Sequence, residues 1–310
     1  MKTKKALSLL LSAAVLLLCA ACGAENTVTE DGAAVSFTDM TGTVINMDAP
    51  ASSIVALTAA DCEIVYALGA GDLLVGRGEY CDYPAEISSV PAVNSGKETN
   101  LEQIIALSPD VVVMADMEQT QEQVDALNAA GITVVRSDAQ DIEGVYESIY
   151  MLGTLLGKNQ EADSLVTYMK DTFAQAQTQA AASDGKTIYF EVSPLQYGLW
   201  TAGTDTFMNE IAEMMGMKNI FADVSGWAEI SEEQVIDRDP DVIVTISMDF
   251  GDISPIEEIC ARPGWQDISA VKSGAVINLP DNELTRPGPR LASGAAMLCD
   301  AIFGSQSPQQ

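Results

Sequence analysis

One twelve-residue phrase occurs twice in this chain of 310 residues. Glu102-Gln103-Ile104-Ile105-Ala106-Leu107-Ser108-Pro109-Asp110-Val111-Val112-Val113 aligns with Glu233-Gln234-Val235-Ile236-Asp237-Arg238-Asp239-Pro240-Asp241-Val242-Ile243-Val244, 131 positions later. Seven positions are identical, and two more exchange one β-branched residue for another. Each copy reads as a short helix, a Pro-Asp break and a strand buried on both faces. A duplicated unit predicts two alike lobes with a cleft between them. It also gives each lobe a glutamate at the same place, Glu102 and Glu233.

The sequence around each copy supplies matching parts. Ahead of the first lie a hairpin over 35–37 and 44–46, a strand at 53–57 and a second at 73–75. Between those strands runs a helix with Thr58 as N-cap, Asp61 three residues on, and Gly69 as its stop. Strands at 111–114 and 132–135 follow. Around the second copy lie strands at 187–192, 219–221, 242–246 and 275–279, with a helix at 207–215 stopped by Gly216. Trp265 reads as core of this half. Residues 142–182 contain no Pro, and Leu165, Tyr168, Met169 and Phe173 fall at helical spacing. A helix over 160–182 spans roughly 35 Å. The expected fold class is α/β: two Rossmann-like lobes with parallel sheets joined by one long backbone helix. The expected bounds are 35–141 for the N-terminal lobe, 142–184 for the linking helices and 185–306 for the C-terminal lobe. A helical joint is stiffer than strand crossovers, so small motion on ligand binding is expected.

Lys2, Lys4 and Lys5 precede an apolar run over 6–19 that is too short to span a bilayer comfortably. Cys19-Ala20-Ala21-Cys22-Gly23 follows. Small residues before a cysteine, directly after such a run, resemble a lipoprotein signal peptide over 1–21. Cys22 would then be the lipidated residue, and 22–34 a flexible tether. The expected location is extracytoplasmic, lipid-anchored to the cell membrane. The alternative is a redox or zinc C-x-x-C, which belongs in a folded site.

The formal charge is -30. Without the three leader lysines, 12 basic side chains face 45 acidic ones. That surface repels nucleic acid, so no nucleic-acid partner is expected. The absence of histidine removes Ser-His-Asp and Cys-His catalysis and most zinc chemistry. Cys62, Cys81, Cys260 and Cys299 fit no metal spacing and read as small buried thiols; no metal site and no cofactor are expected. Neither G-x-S-x-G nor a phosphate-binding glycine loop occurs. Glu232 and Glu233 are paired carboxylates, but helix neighbours point about 100° apart and do not converge on one atom. The chain therefore does not read as an enzyme.

Ligands of open α/β sheets bind beyond the carboxyl ends of the strands. The loops there hold Tyr80, Tyr83, Tyr197, Trp200, Trp227 and Phe250, in a chain only 6% aromatic. That clustering favours a flat or bulky apolar ligand. Arg77, Lys97, Arg286 and Arg290 are the nearby basic groups, and an Arg in the cleft can clamp a carboxylate, phosphate or amide oxygen. Arg290 has a second reading, pairing with Glu283.

Several ordered fragments carry a resemblance: Ile54-Val55-Ala56-Leu57, Tyr66-Ala67-Leu68-Gly69-Ala70, Tyr80-Cys81-Asp82-Tyr83-Pro84, Asn100-Leu101-Glu102-Gln103-Ile104, Ser108-Pro109-Asp110-Val111-Val112, Gly216-Met217-Lys218-Asn219-Ile220-Phe221, and the stretch from Trp265 to Ile277. Together they resemble the class III (helical-backbone) substrate-binding proteins of ABC importers, which serve vitamin B12, ferric siderophores and haem. The match runs from about 36 to 304. It implies a monomeric receptor that docks on a dimeric permease through Glu102 and Glu233. It also implies a corrinoid or iron chelate as ligand, held by Tyr80, Tyr83, Lys97, Trp200, Trp227, Phe250 and Arg286. The loop at 80–84 and Trp227 are similar to vitamin B12 receptors. Lys97, in the segment before Glu102 where those receptors carry tryptophan, suits an anionic chelate such as a ferric siderophore. Haem held by axial His is excluded, whereas Tyr ligation is not. A surface hydrolase or a sensory lipoprotein on the same scaffold are the remaining readings.

Overall fold

The computed structural model describes residues 34–115, 120–182, 185–246, 253–279 and 282–304. A hairpin of β1 (Val35–Thr38) and β2 (Val44–Met47) precedes the first lobe. That lobe runs β3 (Ile54–Ala56), α1 (Ala59–Ala67), β4 (Leu74–Gly78), β5 (Ala92–Val93), α2 (Leu101–Leu107), β6 (Val111–Met114), α3 (Gln121–Ala129) and β7 (Thr133–Arg136). Helices α4 (Ile142–Leu155) and α5 (Asn159–Gln179) connect to the second lobe. It begins with β8 (Thr187–Glu191), β9 (Leu199–Ala202), α6 (Phe207–Met214), β10 (Lys218–Asn219) and β11 (Trp227–Ile230). It ends with α7 (Glu232–Arg238), β12 (Val242–Thr245), α8 (Pro255–Ala261), α9 (Ser269–Ser273), β13 (Val276–Asn278) and α10 (Leu291–Phe303).

The first lobe holds a parallel sheet of order β5-β4-β3-β6-β7, the second one of order β10-β8-β12-β13. Set side by side, β4-β3-β6-β7 and β10-β8-β12-β13 are one topology used twice. The duplicated phrase produces this. Asn100 and Ser231 cap α2 and α7 by accepting the N–H of Gln103 and Gln234. Both helices last seven residues and stop on a left-handed residue, Ser108 at φ 50° and Asp239 at φ 42°. The Asp after each Pro ties the new strand to its neighbour. Asp110 Oδ2 accepts from the Ser52 N–H (2.8 Å), the Ser52 hydroxyl (2.7 Å) and the Ser53 N–H (3.0 Å). Asp241 Oδ2 accepts from the Thr187 N–H (2.8 Å) and hydroxyl (2.9 Å). Five backbone and hydroxyl donors thus set the pairing of β6 on β3 and of β12 on β8.

The spine is α5, whose Ala162, Val166, Met169, Phe173 and Ala176 form a buried stripe at helical spacing. It packs against both α4 and α10. The Cys299 thiol donates to the Ala176 carbonyl at 3.3 Å, and Gln179 donates to Asp300 at 2.7 Å. Tyr168, expected on that stripe, is exposed instead. In the second lobe Trp265 is fully buried, its ring 6.4 Å from Tyr189, with Phe221 5.7 Å from Tyr189 on the other contact. Arg262 lies over Trp265 at 4.5 Å and pairs with buried Glu191 (2.7 Å) and with Glu258 (2.6 Å).

Three strand expectations need correction. The strand expected at 73–75 starts at Leu74, because Gly71–Leu73 is a 3-10 turn. The strand expected at 219–221 ends at Asn219, whose side chain accepts the Phe221 N–H (3.0 Å) and turns the chain. Residues 199–202, expected to be loop, are β9, and they pair antiparallel with β11. Cys62, Cys81 and Cys299 are buried free thiols as expected, whereas Cys260 is exposed. A hydrogen bond with the Cys81 thiol, then burial, push the Cys62 thiol well up.

Candidate functional site: the cavity between the lobes

A cavity of about 460 Å³ opens between the two sheets. Its first-lobe wall comes from the ends of β3, β6 and β7: Thr58, Ala60, Asp61, Ala115, Ser137 and Asp138. Its second-lobe wall comes from the ends of β8 and β12 (Val192, Ile246), the first residue of α6 (Phe207) and the β9–β11 ribbon (Trp227). Thr285, Arg286 and Pro287, between β13 and α10, close one side. The carboxyl ends of the parallel strands supply the site, as the alternation of strands and helices predicts.

The two walls differ in chemistry. The second-lobe wall is apolar, with the Trp227 ring set edge-on to Phe207 at 5.4 Å. The first-lobe wall is polar. Thr58 caps α1 by accepting the Asp61 N–H (3.1 Å), and its hydroxyl donates to Asp61 Oδ2 (2.5 Å). Asp61 is only 1% exposed. Burial pushes its carboxyl up to about 6; the Thr58 and Ser137 hydroxyls oppose the shift, and the charge of Asp138 adds to it.

Beside this wall lies a five-membered charge cluster. Arg286 Nη1 donates to Glu63 (3.1 Å) and to Asp82 (2.5 Å). Arg290 donates twice to Glu63 (2.9 and 2.8 Å) and once to Glu283 (3.1 Å). The Arg286 hydrogen bond holds the Asp82 carboxyl below its usual range. Tyr83 covers Arg290, its ring centre 3.9 Å from the guanidinium carbon. The cluster joins the segment before α10 to α1 and to the loop after β4. Arg77 organises that same loop, donating to the carbonyls of Gly78 (3.2 Å), Cys81 (2.9 Å) and Ile87 (3.1 Å).

Of the seven side chains expected to hold ligand, Trp227 and Arg286 line this cavity. Tyr83 sits one contact away, over Arg290. Tyr80 is in the same loop and 75% exposed. Trp200 lies on β9 opposite Glu229, and Lys97 in a 3-10 turn whose carbonyl accepts from Gln123 (3.1 Å); neither lines the cavity. Phe250 and Cys22 lie outside the described residues. Sequence reading missed Asp61, Phe207, Val192 and Ile246. Each stands one to three residues outside the loops that the strand-end rule marks out from the sequence, 58–60, 193–204 and 247–252, so a wider margin at each strand end would have reached them.

Glu102 and Glu233 are exposed, each the second residue of its helix, on α2 and α7. A helix that crosses over between parallel strands runs antiparallel to them, so its N-terminus stands at their carboxyl ends. For α2, between β5 and β6, this places Glu102 on the cavity's side of its sheet; α7 enters β12 from the antiparallel β9–β11 ribbon, so the same rule does not place Glu233. A hydrogen bond from its own N–H, then one from Ser231, hold the Glu233 carboxyl below its usual range. The neighbouring Glu232 turns the other way and accepts the Trp265 indole N–H at 3.0 Å. The paired-carboxylate arrangement that a hydrolase would need is thus split.

Two parallel sheets facing across a lined cavity, on one helical spine, define a two-lobed substrate-binding receptor. The model of the periplasmic binding protein family matches residues 54–283, and the chain belongs to that family. It is a substrate-binding protein of the ABC-importer type. It is similar to an uncharacterized ABC transporter substrate-binding lipoprotein, YvrC, of Bacillus subtilis (34% identical over 275 residues, 87% of this chain and 85% of the relative). It is similar to the vitamin B12-binding protein of Salmonella typhimurium (29% over 256 residues, 81% and 90%). Among solved structures it resembles a possible iron-binding periplasmic solute-binding protein of Staphylococcus epidermidis (TM-score 0.69, 29% identity, 82% and 99%).

Proposed function

We propose that this chain is the extracytoplasmic, lipid-anchored receptor of an ABC importer, taking a bulky metal chelate into the inter-lobe cavity, with a corrinoid favoured. It carries out no catalysis, works as a monomer and is held at the membrane through Cys22. Glu102 and Glu233 each present a carboxylate to one half of a two-fold permease. The observation that carries the reading is the cavity itself, formed at the carboxyl ends of both sheets with Trp227 and Phe207 as its apolar wall. The vitamin B12-binding relative supports a corrinoid. A second reading, a ferric siderophore or haem, is favoured by size. The cavity, about 460 Å³, is in the lower half of the roughly 300–1,000 Å³ usual for small-molecule sites. A corrinoid, being larger, would enter edge-first with part of its rim outside, near Tyr80 and Tyr83.

A thermal-shift panel of cyanocobalamin, ferric siderophores and haem tests the reading. A ligand at one hundred times its dissociation constant stabilises the fold by about 2.7 kcal/mol. No shift with any member of the panel sinks the proposal.

A further inference from the structure

We infer that this cavity selects neutral or cationic chelates and rejects carboxylate-rich or otherwise anionic ones. The inference rests on the receptor reading above and narrows its substrate class. Arg286 is the basic side chain among the described lining residues, and its guanidinium is already shared between Glu63 and Asp82. Arg290 behind it is shared between Glu63 and Glu283. Two guanidinium groups thus face three carboxylates, and the cluster keeps one negative charge instead of offering a positive one. An incoming anion would have to compete with both partners of Arg286, the exposed Asp82 at 2.5 Å and the buried Glu63, whose side chain is 2% exposed.

The rest of the polar wall carries the same sign. Asp61 and Asp138 line it, and the side chains that hydrogen-bond to them are neutral: the Thr58 hydroxyl for Asp61 (2.5 Å), the Gln140 amide for Asp138 (3.1 Å). The two carboxylates also sense each other, for the charge of Asp138 adds to the upward push on Asp61. The chain's charge of -30 extends this field outward. What the wall offers a ligand is hydrogen-bond acceptance, from Asp138, Ser137 and Thr285, backed by the buried charge of Asp61, together with an apolar face at Trp227 and Phe207. That pairing matches a chelate edged with amide N–H groups or bearing a positive charge. It opposes propionates, catecholates and free carboxylates.

Isothermal titration of the mature chain with two matched pairs of probes tests this. The first pair is cyanocobalamin against a cobalamin monocarboxylic acid, which differs by one amide turned into a carboxylate. The second is the neutral ferric trihydroxamate ferrichrome against the trianionic ferric tris-catecholate of enterobactin. In whichever pair binds, the neutral member should bind at least about tenfold tighter, because a like charge set against a like charge costs several kcal/mol. Asp138→Asn should bring the neutral-to-anionic ratio towards one. Equal or tighter binding of the anionic member, or a ratio unmoved by Asp138→Asn, overturns the inference while leaving the receptor reading in place. Failure of all four probes to bind overturns the receptor reading, and this inference with it.

Discussion

Asp61 is where a single side chain couples the site to the stability of the lobe. Its carboxyl is buried at the first turn of α1, held by the hydroxyl of the residue that caps the helix. Folded, it binds its proton more tightly than the ordinary carboxyl at 3.8 does. Between about pH 4 and pH 6 the folded state therefore carries more protons than the unfolded one, and stability falls as pH rises through that window. The shift from 3.8 to about 6 corresponds to on the order of 2–3 kcal/mol. Asp61→Asn, which keeps an oxygen for Thr58 to bond, should flatten this part of the profile. Urea unfolding at pH 4, 5, 6 and 7 measures it; a difference between variant and parent that stays constant across the four values contradicts the assignment. At this scale the sequence revealed Thr58 as a cap and Asp61 as its partner. It did not reveal how deeply Asp61 is buried, because Ser137 and Asp138 beside it come from the loop after β7.

Among elements, the two copies of the duplicated phrase form the same helix, the same left-handed stop and the same Asp tie, yet they are not interchangeable. Ser108 makes one weak local bond from its hydroxyl, to the Ile105 carbonyl at 3.3 Å. Asp239 holds α9 in place, accepting the Ser269 N–H (2.6 Å) and hydroxyl (2.9 Å). A left-handed conformation costs a non-glycine residue roughly 1–2 kcal/mol. Ser108→Gly should therefore stabilise the protein by up to about 1 kcal/mol, offset by the freedom glycine gains in the unfolded chain. Asp239→Gly should destabilise it, since two hydrogen bonds are lost at about 1 kcal/mol each. Thermal melts of the two variants decide the matter, and shifts of the same sign would contradict this account. The strands read from apolar runs are present. The β9–β11 ribbon was not legible, because Leu199 and Trp227 are 28 positions apart and neither run alternates clearly. A long-range antiparallel pair leaves little trace in either partner alone.

For the whole molecule, the decisive feature is a stiff spine under two alike lobes. Helix α5 packs on α4 and on α10, and the Arg286–Glu63–Arg290 cluster bridges the segment before α10 to α1. Ligand should move the lobes little under these ties. The two exposed glutamates then keep a fixed relation to each other with or without ligand. An exposed ion pair is worth only about 0.2–1 kcal/mol, but bidentate contacts to arginine shielded from water are stronger and fix orientation. Replacing Glu102 and Glu233 together by Ala should abolish uptake and association with the permease, with ligand affinity retained. Ligand titration beside a pull-down of the permease separates these effects; weakened ligand binding would place the glutamates in the ligand site instead.

The sequence alone determined the two-lobe plan, the parallel sheets, the helical spine and the glutamate repeated on each lobe. All of these follow from local periodicity and from a repeat, which are written along the chain. Only the tertiary structure decided which of the strand-end side chains line the cavity, and that its arginine is already neutralised by Glu63 and Asp82. Arg286 and Glu63 are 223 positions apart, and no spacing rule connects them. Burial and charge balance at a site depend on which surfaces the lobes bring together, and that is a property of the packed molecule.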